Sequence, residues 1–128
     1  MSDNFHTSNG WVGVDLDGTL AEYDKWVSAD HIGKPIPAMV NRVKHWLEEG
    51  TDVRIFTARC WPLGTTAQVY DKNKDRVQDA LRAVDAIEKW CKEQFGVILP
   101  ITCVKDYHMY MLWDDRAISV EKNTGRRV

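Results

Sequence analysis

What this chain lacks narrows it first. No apolar run reaches the roughly 18 residues that a membrane span needs, and no charged-then-apolar leader opens it. Neither a transmembrane segment nor a signal peptide is therefore expected. An excess of positive charge is missing too. With 17 Lys and Arg against 19 Asp and Glu, the net charge is −2, which argues against a general nucleic-acid binder, usually basic. Cysteine is scarce: Cys60, Cys91 and Cys103 are odd in number and lack metal-ligand spacing, so free thiols in a reducing, cytoplasmic compartment are expected. Internal repeats and low-complexity tracts are absent. What remains is an ordinary globular composition in 128 residues, enough for one domain with a sizeable core and too few for two. Residues 1–10 and 120–128 are polar and read as loose termini.

One stretch organises the rest. Trp11-Val12-Gly13-Val14 is a run of small and β-branched apolar residues, a buried strand by composition, and it delivers Asp15-Leu16-Asp17-Gly18-Thr19-Leu20. Desolvating an ionised carboxylate costs several kcal/mol, so the two aspartates belong at the strand's C-terminal mouth. Gly18 lets the chain leave sharply there. Asp15 and Asp17 alternate with Leu16, so both are expected to lean to one side. Two like charges that close call for a cation or a shared proton. A calcium loop of the EF-hand type is excluded, because its glycine belongs at the sixth position and Gly18 is fourth from Asp15.

Taken in order, residues 12–16 read as the first strand. Residues 19–36 lack clean periodicity and contain Gly33 and Pro35, so they form a long ordered loop over the acidic site, with room for a short hairpin. A helix follows from Pro37: Met39, Val40, Val43, Trp46 and Leu47 recur at three and four, and Gly50 closes it. Val53–Phe56 is the second strand and exits into Thr57-Ala58-Arg59. Residues 66–95 are mostly helical, with Val77, Leu81, Val84, Ile87, Trp90 and Cys91 spaced by three and four, a break within Tyr70–Lys74, and Gly96 at the end. Ile101–Val104 is the third strand, followed directly by Lys105. Met109–Trp113 is the fourth, ending in Asp114-Asp115-Arg116. Trp11, Trp46, Trp90 and Trp113 fall within these elements and read as core.

This order predicts an α/β, three-layer Rossmann-like domain with a mostly parallel sheet and right-handed crossovers. In such sheets ligands collect outside the carboxyl ends of the strands. Asp15 and Asp17, Thr57 and Arg59, Lys105, and Asp114 and Asp115 all sit at such ends. Asp15 and Asp114 can supply hard oxygen ligands to Mg²⁺. Thr57 and the backbone N–H groups after it, at Ala58, can hold phosphate oxygens, and Lys105 adds positive charge.

These residues resemble the haloacid dehalogenase superfamily of phosphohydrolases. Asp15-Leu16-Asp17-Gly18-Thr19-Leu20 is similar to its first motif, Thr57 to its second, Lys105 to its third and Asp114-Asp115 to its fourth, so the resemblance spans residues 11 to 118. It implies that Asp15 is a nucleophile forming an aspartyl-phosphate. It implies that Asp17 protonates the leaving group and then activates water. It further implies that Asp15, the backbone carbonyl of Asp17 and Asp114 hold Mg²⁺, with Asp115, Arg59 and Gly18 in support. Cap domains of the family are inserted after the first motif or between the second and third. Here the core elements consume most of both segments, so a capless member is expected, covered by the 21–36 loop or by a second copy of the chain in a homo-oligomer. The expected substrate is a phosphomonoester, either a small molecule or the phosphorylated end of a macromolecule. Tyr23, Lys25 and Trp26 of the loop are its expected contacts. Two other readings use the same fold. A signalling receiver places an acidic pair first and its phosphorylated Asp on a later strand, whereas here the last acidic pair follows the lysine. A catalytically silent phosphate-binding or metal-binding module would not need the whole set of Asp15, Asp17, Thr57, Lys105 and Asp114.

Overall fold

A computed structural model describes residues 10–128; the expectation of a loose N-terminus falls on residues outside them, except for Gly10. The strands are β1 (Trp11–Asp15), β2 (Val53–Phe56), β3 (Ile101–Thr102) and β4 (Met109–Trp113). Helix α1 (Pro37–Glu48) connects β1 to β2, and α2 (Ala67–Lys72) and α3 (Val77–Phe95) lie between β2 and β3. Short 3₁₀ turns cover Ala58–Cys60 and Lys74–Arg76. The four strands form one all-parallel sheet in the order β3-β2-β1-β4, so the protein is a Rossmann-like α/β fold. The β3–β4 connection is a loop, and it carries the chain from one edge of the sheet to the other.

Helix α1 buries the stripe its apolar spacing gives. On α3 only Ile87, Trp90 and Cys91 of the expected stripe are buried and Leu81 is 47% exposed, because the small Ala80 and Ala83 take the face that packs closely on the domain. On α1, Met39, Val40, Val43 and Trp46 are buried, and Pro37 opens the helix, where its missing N–H costs nothing. On α3, Ala80, Ala83, Ile87, Trp90 and Cys91 are buried, and Gly96 ends the helix in the left-handed region at φ 75°. Both stripes meet Val12, Val14, Val53 and Ile55 of the sheet in one core. Trp46 meets Trp113 edge-on at 5.3 Å, which ties α1 to β4. Residues of opposite parity face the other way: Trp11 stacks on Phe56 at 6.5 Å, the Arg54 guanidinium lies 4.8 Å from the Trp11 ring, and the indole N–H donates to Asp106.

Some boundaries shift for local reasons. The first strand runs from Trp11 to Asp15, not 12–16, because the Leu16 carbonyl already accepts the Leu20 and Ala21 N–H groups of a turn. The third strand stops at Thr102, whose hydroxyl captures the Val104 N–H at 3.0 Å and bends the chain away from β2. The helix break expected within 70–74 falls at Asn73, whose side chain donates back to the Val69 carbonyl at 2.8 Å. The 21–36 loop closes at its neck: Ala21 pairs with Pro35, and the Glu22 N–H donates to the Lys34 carbonyl at 2.8 Å. Gly33 is required there, since a Cβ would sit 2.0 Å from the Glu22 carbonyl oxygen. Residues 119–128 are exposed, as expected of a terminus, yet fold back on themselves through a Val120–Arg127 bridge and an Arg126–Glu121 ion pair.

All three cysteines are free thiols, and burial pushes Cys60 up to about 12. Among the described residues no helix is long and apolar enough to cross a membrane.

The topology sets the place of the site. From β1 the chain steps outward to β2 and β3, then returns to β4 on the far side of β1. The direction of winding reverses at β1, and a crevice opens between the carboxyl ends of β1 and β4. Asp15 ends β1; Asp114 follows β4.

Candidate active site

Three carboxylates meet in that crevice. Oxygen atoms of Asp15, Asp114 and Asp115 lie within 4.8 Å of one another. Burial pushes the Asp15 carboxyl up to about 7, helped by a hydrogen bond with Asp115 and by the charges of Asp114, Asp115 and Asp17. A hard divalent cation would relieve that repulsion, and oxygen-only donors at this spacing fit one. Thr19 knits the two strand ends together. Its hydroxyl accepts the Asp115 N–H at 3.0 Å and lies 3.4 Å from an Asp15 oxygen. Gly18 has φ 89°, and a Cβ on it would come within 2.5 Å of the Asp115 carboxylate. The glycine therefore makes room for the cluster as well as for the turn.

Asp17 takes a different partner. β1 ends before it, and strand alternation no longer aligns it with Asp15. Arg59 grips it with Nε at 2.7 Å from one carboxylate oxygen and Nη2 at 3.0 Å from the other. The third nitrogen, Nη1, donates to the carbonyls of Ser28 and Ala29 at 3.1 and 3.0 Å. The Trp26 ring lies 5.0 Å from the same guanidinium. Only 5% of the Arg59 side chain is exposed. One buried side chain thus joins the second aspartate to the 21–36 loop. Arg59 is held in turn by its own backbone, whose N–H donates to the Thr57 hydroxyl at 3.2 Å and starts the 3₁₀ turn. Thr57 is 2% exposed, at the bottom of the site.

Asp15, Asp17, Thr57, Ala58 and Arg59 line a cavity of about 550 Å³. Tyr23, Trp26 and Ala29 of the loop line it too, as do Trp61, Arg76, Asp79 and Arg116. The expected loop contacts Tyr23 and Trp26 lie in this lining, but Lys25 does not. Lys105 is exposed, does not line the cavity, and forms no hydrogen bond or ion pair with a described residue. Nothing in the sequence singles out Arg76 or Asp79. Thr19 lies within the first-motif hexapeptide, Trp61 in a Pro- and Gly-punctuated loop from which it could cover the site, and Arg116 next to the acidic pair at a strand exit.

No family model matches the sequence, and no curated protein matches it. Among solved structures, the chain is similar to a conserved protein coded by a locus of Bacteroides thetaiotaomicron, with 19% identity and a TM-score of 0.48 over 84% of this chain and 77% of that one.

Proposed function

We propose that this protein is a divalent-cation-dependent phosphomonoester hydrolase of the haloacid dehalogenase kind, with Asp15 as its nucleophile. The observation that carries the reading is the meeting of Asp15, Asp114 and Asp115 at the topological switch point, beside a buried threonine and a second, independently held aspartate. Mg²⁺ is the proposed ion; Asp15 and Asp114, with Asp115 in support, would hold it, and it would offset the repulsion between an anionic nucleophile and an anionic phosphate.

The chain's own groups divide the remaining work. An Asp15 oxygen attacks phosphorus, and the bond from phosphorus to the leaving oxygen breaks, its electron pair going to that oxygen. Asp17 is the proposed proton donor to it. Water then attacks the aspartyl-phosphate, Asp17 takes the proton, and the bond between phosphorus and the Asp15 oxygen breaks to restore the carboxylate. Both Asp17 oxygens already accept from Arg59, so proton transfer requires one of them to be shared or released. Thr57 and Ala58 line the cavity, and the Thr57 hydroxyl and the Ala58 N–H are the proposed partners of the phosphate oxygens. Lys105 joins this scheme by the resemblance alone.

Chelation tests the proposal. Exhaustive treatment with EDTA should abolish hydrolysis of p-nitrophenyl phosphate, and added Mg²⁺ should restore it. Turnover that persists at full rate after chelation would sink the idea.

A further inference from the structure

The cavity has more lining than a site for a bare phosphate needs. Its volume, about 550 Å³, is that of pockets that enclose a molecule of drug size. Three aromatic side chains line it while staying open to solvent: Trp26 is 56% exposed, Tyr23 46% and Trp61 37%. Leaving that much ring surface in water gains nothing for the fold, and a flat partner would cover it. Trp26 is also preset, since the Arg59 guanidinium 5.0 Å from its ring is anchored on Asp17 and two loop carbonyls. Two cations join this lining. Arg76 and Arg116 line the cavity, and neither guanidinium has an ion-pair or hydrogen-bond partner among the described residues. Arg54, Arg59, Arg82 and Arg126 are all paired. Unpaired arginines beside a phosphate-handling floor suit additional anionic oxygens. Asp79 also lines the cavity, with its carboxylate already paired with Arg82.

We propose that this cavity receives a nucleotide, with its base against Trp26 and Trp61 and its phosphate groups between Asp15 and the two unpaired arginines. This rests on the phosphohydrolase reading for the fate of the phosphate, but not for the binding. Sugar phosphates lack the flat π face that three exposed rings would cover. An aryl phosphate has the face but carries too few anionic oxygens to occupy both Arg76 and Arg116. A nucleotide engages the rings through its base and both arginines through its phosphate groups. The free nucleotide and the terminal nucleotide of a polynucleotide share this chemistry.

Isothermal titration of the Asp15→Asn variant separates binding from turnover. Nucleoside 5′-monophosphates should bind at least about tenfold tighter than ribose 5-phosphate, the gain that one stacked base supplies. Trp26→Ala and Trp61→Ala should each weaken nucleotide binding roughly five- to a hundredfold, and Trp61→Phe, which keeps a ring, should retain most of it. A 5′-phosphorylated hexanucleotide run alongside identifies the source: tighter binding than the monophosphate points to a polynucleotide end, equal or weaker binding to the free nucleotide. Nucleotide no tighter than ribose 5-phosphate, in protein whose wild type hydrolyses acetyl phosphate, overturns the base site and leaves the phosphatase standing. Tight nucleotide binding without turnover of any phosphate supports the pocket and removes the phosphatase instead. A ratio of nucleotide to ribose phosphate affinity unchanged by both alanine variants also overturns the proposal.

Discussion

Replacing Asp15 with Asn should abolish turnover and, at the same time, make the metal-free protein more stable at pH 8. The two effects share one cause. Asp15 is crowded by burial and by neighbouring carboxylates, which hold it protonated up to about pH 7. In the unfolded chain the same group ionises near pH 4. Between these values the folded state therefore binds more protons than the unfolded state, and the contribution of Asp15 to stability falls as pH rises across that window. Asparagine removes the charge and with it the slope. Thermal melts in EDTA at pH 5 and pH 8 should show wild type losing stability between the two, while Asp15→Asn loses distinctly less. Mg²⁺ should raise the wild-type melting temperature more at pH 8 than at pH 5, because it binds the ionised cluster. Activity should fall by roughly 10⁵-fold or more, as is common when a nucleophile is removed, and no acyl phosphate should form. Quenched mass spectrometry of wild type should find that phosphate on Asp15. A variant that is inactive but no more stable than wild type at pH 8 would mean that the repulsion at Asp15 is already relieved without metal. Phosphate trapped on Asp17 or Asp114 would move the nucleophile elsewhere.

The parts legible in the sequence are those in which one residue's chemistry dictates its place. Val12 and Val14 could only be buried, and Asp15, following them, could only end the strand. The stripe from Met39 to Trp46 sits on the core where its spacing puts it, and Gly96 closes α3 in the left-handed region. The third strand was cut short by a competition between a hydroxyl and the sheet: Thr102 satisfied the Val104 N–H locally, which strand propensity does not register. The site was less legible for a related reason. Strand alternation aligns Asp17 with Asp15 only while the strand continues, and the turn after Asp15 delivers Asp17 to an arginine 42 residues away. Asp115, exposed in an acidic turn, could be read as bystander or ligand, and only its approach to Asp15 across the β1–β4 crevice brings it into the cluster. Arg76, Asp79 and Arg116 come from a 3₁₀ turn, a helix and a strand exit, so no spacing could have announced that they line one cavity with Trp26.

Arg59→Met should destabilise the fold, release the 21–36 loop and slow catalysis, and the three effects should be separable. Methionine keeps much of the apolar body of the side chain but none of its donors. It would strand the Asp17 carboxylate, 22% exposed, and the carbonyls of Ser28 and Ala29. Breaking a buried ion pair from one side costs about 3 to 5 kcal/mol, and the partial exposure of Asp17 places the expected loss in urea melts near the lower figure. Arg59→Lys should recover only part of it, because a single ammonium cannot reach a carboxylate and two loop carbonyls at once. Asp17→Asn leaves Arg59 its loop bonds, so the loop should stay resistant to proteolysis while hydrolysis falls by about 10²–10⁴-fold, the usual worth of a general acid–base. In the Arg59→Met background the loop should be cut readily between Ala21 and Pro35. The double variant should cost about 1 to 3 kcal/mol less than the sum of the single ones, since the stranded carboxylate disappears while the loop tether is still lost. Strict additivity would show that the pair contributes nothing to each other in solution. A loop as resistant to protease in Arg59→Met as in wild type would show that the Ala21–Pro35 neck, and not the arginine, holds it over the site.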